Sequence, residues 1–131
     1  MAKPTILIVD DEEDVVNLWQ RALIMEGFDV LPAYDGITAL ALAESEQPSI
    51  ILLDIMMPMM SGYDVCQQVK ANPHTQHIPV LCVTSAQSAE VASNARKAGA
   101  QGLMVKPFTT RELVVQINRM LAASKPPVTE P

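Results

Sequence analysis

Three carboxylates, a hydroxyl and an ammonium stand at the ends of apolar runs in this chain. Ile6-Leu7-Ile8-Val9 leads into Asp10 and Asp11, and Ile50-Ile51-Leu52-Leu53 into Asp54. Pro79-Val80-Leu81-Cys82-Val83 leads into Thr84, and Gly102-Leu103-Met104-Val105 into Lys106 and Pro107. Carboxylates brought close together stay ionised only around a cation, or else some take up protons. Hard oxygen donors suit magnesium, which uses few carboxylates and fills its shell with water. Asp11 and Asp54 read as direct ligands, with Asp10 behind them or acting through water. A phosphoryl group on Asp54 would add roughly −1.5 to −2 of charge. The cation and Lys106 would neutralise it, and the Thr84 hydroxyl would donate to one phosphoryl oxygen. The chemistry that fits is phosphoryl transfer to a carboxylate nucleophile, driven by positioning and electrostatics.

Each residue also has a plainer role. Asp54 can cap a helix, although Met56 to Ser61 separate it from the next one. Thr84 can cap the helix that follows it, and Lys106 can be an ordinary surface lysine. The agreement of four strand ends is what makes the set specific. Met56, Met57, Met59 and Met60 offer soft ligands, but packing of a loop or core is the reading preferred for them.

For these groups to meet, the strands must lie side by side and point the same way. The pattern alternates strand and helix five times. Strands are predicted over 5–9, 28–33, 49–53, 79–83 and 102–105, from apolar and β-branched runs without alternation. Helices are predicted over 14–26, 37–45, 63–71 and 86–98. The first carries Val15, Leu18, Trp19, Ala22 and Leu23 at helical spacing and stops at Gly27. Thr109-Thr110-Arg111-Glu112 reads as a capping box opening a fifth helix, with Leu113, Val114, Ile117, Met120 and Leu121 on one stripe. Continuously apolar strands separated by helices imply an α/β fold with a parallel sheet covered on both faces. In such sheets ligands sit beyond the carboxyl ends of the strands, where the polar groups are.

The 131 residues suit one domain, and 49% hydrophobic against 18% charged residues implies a packed core. A net charge of −6 argues against nucleic-acid binding by this chain. Glu12, Glu13 and Asp14 suit a solvated helix start. Cys66 and Cys82 lack zinc spacing and read as buried thiols in a reducing compartment. Met1-Ala2-Lys3-Pro4 leads straight into a strand, too short a lead for a signal peptide or a membrane span. A soluble, cytoplasmic protein is expected. Residues 125–131 hold three prolines without periodicity and read as a flexible tail or the start of a linker.

Asp10-Asp11, Asp54 with Met57-Pro58 and Gly62, Thr84, and Lys106-Pro107-Phe108 together resemble the receiver domain of two-component response regulators. The resemblance runs from about Lys3 to Ala123. It implies a receiver over 1–123 followed by a tail over 124–131. It also implies the flavodoxin-like (βα)5 three-layer sandwich with strands in order 2-1-3-4-5. Asp54 would then be the phosphoacceptor for a phosphohistidine on a sensor histidine kinase or phosphotransfer protein. Asp11, Asp54 and the backbone carbonyl of Met56 would bind Mg2+ with help from Asp10, and Thr84 and Lys106 would contact the phosphoryl group. A cis peptide is implied at Lys106-Pro107. Such a domain is not an enzyme on other substrates; it promotes only its own aspartyl phosphorylation and dephosphorylation. Its helix 4–strand 5–helix 5 face would be read by an effector protein or a fused output domain, and is where a homodimer would form.

The chain departs from the family at Leu103, where Tyr, Phe or His is usual, so a ring cannot report the phosphorylated state. Met56 and Ala86, two residues after Asp54 and Thr84, offer no group to orient a water, which implies slow self-dephosphorylation. A magnesium phosphohydrolase with an aspartyl nucleophile would need an acid where Met56 stands. A phosphorylation-independent adaptor is disfavoured by the intact acids with Thr84 and Lys106.

Overall fold

Strands that are apolar at every position can bury side chains on both faces, and they do so in a computed structural model of the chain, which describes residues 3–124. Strands β1 (Thr5–Val9), β2 (Asp29–Ala33), β3 (Ile50–Asp54), β4 (Val80–Thr84) and β5 (Gly102–Val105) alternate with helices α1 (Glu13–Met25), α2 (Gly36–Glu46), α3 (Gly62–Ala71), α4 (Ala89–Ala98) and α5 (Thr110–Ser124). The sheet is parallel throughout, in the order β2-β1-β3-β4-β5. This is the order that the resemblance implies. The tail read over 125–131 lies outside the described residues, as do residues 1–2.

Alternate residues of each strand feed two separate cores. Leu7, Val9, Ile51, Leu53 and Cys82 meet Ala39 and Ala43 of α2, Val65, Cys66 and Val69 of α3, and Ala95 and Ala98 of α4. Ile6, Ile8, Ile50, Leu52, Leu81 and Val83 meet Val16 and Leu23 of α1, and Leu113, Ile117 and Met120 of α5. The large side chains of β1, β3 and β4 are almost wholly buried. Each such burial contributes about 1.5–3 kcal/mol over leaving the side chain exposed. A one-residue slip would exchange the two cores, so the register is firmly set. It holds Val9 beside Leu53, Asp54 beside Val83, and Thr84 beside Val105. The polar strand ends therefore share one edge. The outer strand β2 carries Pro32, opposite Ile8 of β1, which an edge tolerates and a central strand does not.

Several boundaries differ from the sequence reading, each for a local reason. β3 and β4 start and end one residue later than expected, so Asp54 and Thr84 are themselves the last strand residues. α4 starts at Ala89, not near 86. The Thr84 hydroxyl accepts from the Ala86 N–H at 3.0 Å and shapes a turn, and Ser88 caps the helix by accepting from the Val91 N–H at 3.1 Å. α3 opens on a reciprocal box that the sequence reading passed over. The Ser61 hydroxyl accepts from the Asp64 N–H at 3.3 Å, and the Asp64 carboxylate accepts from the Ser61 N–H at 3.2 Å. The expected box at α5 is present, with Thr109 and Glu112 exchanging bonds of 2.9 and 3.0 Å. α1 is rotated from the expected stripe. Val16 is fully buried and Leu18 is 67% exposed. Adjacent valines at 15 and 16 allow either face inward. Packing onto the α1–α5 side of the sheet selects Val16, Trp19 and Leu23. Cys66 and Cys82 are both buried and free, as expected. Among the described residues no helix is long and apolar enough to cross a membrane.

Candidate functional site

The ends of β1, β3, β4 and β5 each deliver a polar side chain to the same edge. Asp10 follows β1, and its N–H donates to the Ala33 carbonyl at 3.1 Å, tying the ends of β1 and β2 together. Its side chain is 1% exposed. One carboxylate oxygen, Oδ1, accepts from the Glu12 N–H at 2.9 Å. The other, Oδ2, is buried without a hydrogen-bond partner among the described residues. Asp11 beside it is exposed. Asp54 is 6% exposed, and its Oδ1 accepts from the Met56 N–H at 3.2 Å. Oxygens of Asp10, Asp11 and Asp54 all lie within 4.8 Å of one another.

The loop after Asp54 is held by its own backbone. Ile55 donates to the Val83 carbonyl at 3.0 Å, and its carbonyl accepts from Gly62 at 2.9 Å and Met57 at 3.2 Å. Gly62 thereby brings the start of α3 directly against the strand end. A Cβ on Gly62 would lie 2.7 Å from the Ile55 Cα and nearer still to the Asp54 carbonyl oxygen. Only a residue without a side chain permits that approach.

Lys106 follows β5 and donates from its backbone to the Thr84 carbonyl at 2.7 Å. The Lys106–Pro107 peptide is cis. The ammonium Nζ lies 3.7 Å from Asp10 Oδ2 and 5.3 Å from the centroid of the Trp19 ring. Trp19 stacks on Phe108, with centroids 5.7 Å apart and planes at 29°. Thr84 is buried, but its hydroxyl is engaged with Ala86 rather than with a carboxylate. The structure thus gathers Asp10, Asp11, Asp54 and Lys106, and leaves the Thr84 hydroxyl on the neighbouring strand end, bonded to Ala86. Met56 contributes its N–H to Asp54. The sequence reading missed the aromatic flank. Trp19 appeared there only as one member of an apolar stripe, although a lone tryptophan on the helix following the paired acids was a usable signal.

The electrostatics follow from this crowding. Burial, then the charge of Asp10, push the Asp54 carboxyl up to about 6, against the opposing pull of Lys106 and the Met56 N–H. Burial likewise raises Asp10, opposed by the Glu12 N–H and by Lys106. Two ionised carboxylates within 4.8 Å of one another repel by about 3 kcal/mol or more at the effective dielectric of partly buried sites. Three oxygen donors, one of them buried and unpartnered, suit a hard divalent cation that takes oxygen ligands.

Comparison with known proteins agrees with this geometry. The family profile of the response regulator receiver domain matches residues 6–118. The DNA-binding dual master transcriptional regulator RpaA of Synechocystis is 36% identical over 90% of this chain and 49% of its own length. The chain spans about half the length, or less, of the curated relatives it matches. The chemotaxis protein CheY4 of Vibrio cholerae has a solved structure that superposes with a TM-score of 0.86 at 30% identity, covering 90% of this chain and 98% of that one. The receiver domain of the sensor histidine kinase PA1611 of Pseudomonas aeruginosa was solved with a magnesium ion coordinated in its active-site cleft. It superposes with a TM-score of 0.85 at 26% identity, covering 92% of this chain and 99% of that one. The chain belongs to the response regulator receiver domain family. Members of this family are the phosphoacceptor switches of two-component signal transduction.

Proposed function

We propose that Asp54 is the phosphoacceptor of this switch, with Asp10, Asp11, Lys106 and Thr84 as its supporting groups. The observation that carries this reading is the packing of three carboxylates within 4.8 Å of one another, with a buried, unpartnered oxygen on Asp10 and an ammonium 3.7 Å from that oxygen. Asp11, Asp54 and the Met56 carbonyl would hold Mg2+, with Asp10 acting through water; the magnesium in the PA1611 receiver supports this. When bound, Mg2+ would supply positive charge that keeps the carboxylates ionised and draws in phosphoryl oxygens.

An Asp54 oxygen attacks the phosphorus of a phosphohistidine on a histidine kinase or phosphotransfer protein. A new O–P bond forms, the N–P bond breaks, and its electron pair returns to the imidazole nitrogen. Lys106 offsets the charge on the product. The Thr84 hydroxyl accepts from the Ala86 N–H, which leaves its own hydrogen to donate to a phosphoryl oxygen as the side chain is drawn toward the adduct. That movement is the switch, and the face made by α4, β5 and α5 is where an effector or output domain would read it. Leu103 is half-buried against the core on the α3–α4 side, so the reading would proceed through aliphatic packing. The domain promotes only its own modification, and we place it in the cytoplasm as a receiver over 1–123.

Treatment with acetyl phosphate and Mg2+, followed by intact-mass measurement, is expected to show one phosphoryl adduct on the wild-type chain. The adduct should need the metal and be lacking in Asp54→Asn. An unmodified wild-type protein, correctly folded, would overturn the assignment. Met56 and Ala86 carry no group able to orient a water near the adduct. Once donor and metal are removed, the adduct is expected to decay over many minutes to hours; loss within seconds would refute this.

A further inference from the structure

Lys106 stands at the end of a flexible four-carbon stem, yet its ammonium is enclosed on two sides. Asp10 Oδ2 lies 3.7 Å away on one side, and the Trp19 ring, 5.3 Å from centroid to Nζ, on another. The ring itself is not free to swing. Trp19 is half-buried against the α1–α5 core and stacked on Phe108. Phe108 lies two residues beyond Lys106, across the cis Lys106–Pro107 peptide. One helix and one loop therefore close an aromatic and carboxylate clamp around a single ammonium.

An ammonium gains from the negative face of an indole ring, and indole is the best of the aromatic faces for it. The clamp restricts a side chain that would otherwise sample many rotamers. It also leaves the open side of the ammonium available to the phosphoryl group arriving at Asp54. Asp10 is 1% exposed and its Oδ1 accepts from the Glu12 N–H at 2.9 Å, which fixes the carboxylate side of the clamp.

We propose that Trp19 is a positioning residue for phosphoryl transfer, acting by holding the Lys106 ammonium in place through its ring face. This rests on Asp54 being the phosphoacceptor. The ring meets the Lys106 ammonium and the Phe108 ring, so its effect on transfer passes through Lys106.

The test uses the whole chain, acetyl phosphate and Mg2+, with the rate of adduct formation followed by intact mass. Trp19→Leu keeps the apolar packing and removes the ring face. It is expected to form the adduct about 5-fold more slowly. Its Mg2+ affinity, measured by calorimetric titration, should stay within about 2-fold of the parent, since the clamp holds only the lysine. Trp19→Phe, which restores a ring, should recover most of the rate. In a Lys106→Met background the added Trp19→Leu change should have no further effect, because the group it positions is gone. A Trp19→Leu rate equal to wild type would overturn the inference. So would equal slowing by Leu and Phe, or an undiminished Trp19→Leu effect in the Lys106→Met background. Either of these would mark Trp19 as packing only. If Trp19→Leu fails to fold, Trp19→Met, which also removes the ring face, is compared in the two Lys106 backgrounds and carries the same decision. Absence of any adduct on the wild-type chain would fell the Asp54 assignment and this inference together. An adduct formed equally fast with and without the ring would fell this inference alone.

Discussion

Asp54→Asn is expected to melt higher than the parent chain at about pH 7.5 without metal, while losing its capacity for the phosphoryl adduct. The Asp54 carboxyl is pushed up to about 6 by burial and by the charge of Asp10. An unfolded chain would return it to the ordinary value near 3.8. The folded state therefore binds the proton more tightly than the unfolded one. This favours folding fully below about pH 3.8 and is lost as pH rises through about 6. Above that window the ionised carboxylate opposes folding by on the order of 2–3 kcal/mol. Asparagine keeps the oxygen that accepts from the Met56 N–H and removes the charge. For a domain of this size the gain corresponds to a midpoint roughly 5–10 °C higher. Mg2+ should raise the midpoint of the parent near neutral pH and do much less for the mutant, and the two proteins should converge near pH 4. A mutant that melts at or below the parent at neutral pH would show that the carboxylates are not crowded as described.

Gly62→Ala is the second change with a large expected effect. The added methyl would lie 2.7 Å from the Ile55 Cα, which is backbone and has little room to yield. Ile55 is bonded through its N–H to Val83 and through its carbonyl to Gly62 and Met57. Relief requires α3 to back away from β3 or the strand end to shift, and either displaces Asp54. A cost of about 3 kcal/mol or more is expected, at the high end for a single substitution. Adduct formation should be slowed by about 10- to 100-fold even where the protein stays folded, since about 1 Å of misplacement can cost about 100-fold in transfer chemistry. Urea unfolding and the mass assay measure the two effects separately. A stable, normally reactive alanine variant would refute the close approach of helix and strand.

The fold was legible because its signal is local and repeated. Each strand is a short unbroken apolar run with a helix-length segment after it, and the boundaries fell within a few residues. Asp10, Asp11 and Asp54 were legible because strand ends in a parallel sheet converge whatever the details of packing. What stayed hidden depends on distances between elements remote in sequence. The face of α1 was undecided by adjacent valines at 15 and 16, so the contact of Trp19 with Lys106 and Phe108 had no local mark. The engagement of the Thr84 hydroxyl with Ala86 is a turn preference that spacing does not reveal. The raised carboxyl of Asp54 requires knowing how deeply the strand end is buried. Ser61 and Asp64 stand at capping-box spacing ahead of Val65 and Cys66 and were a readable pair.

Pro32 bears on how such a domain survives at high concentration. An outer strand normally offers unpaired N–H groups on which another chain can continue the sheet, the first step toward fibrils. Proline has no N–H to give, and its place in β2 opposite Ile8 interrupts that outer row. At the other margin β5 is only four residues long, a short template for a neighbour. The sheet is therefore poorly suited to being lengthened from either side, so crowding is more apt to bring intact copies together through their helices than through shared strands.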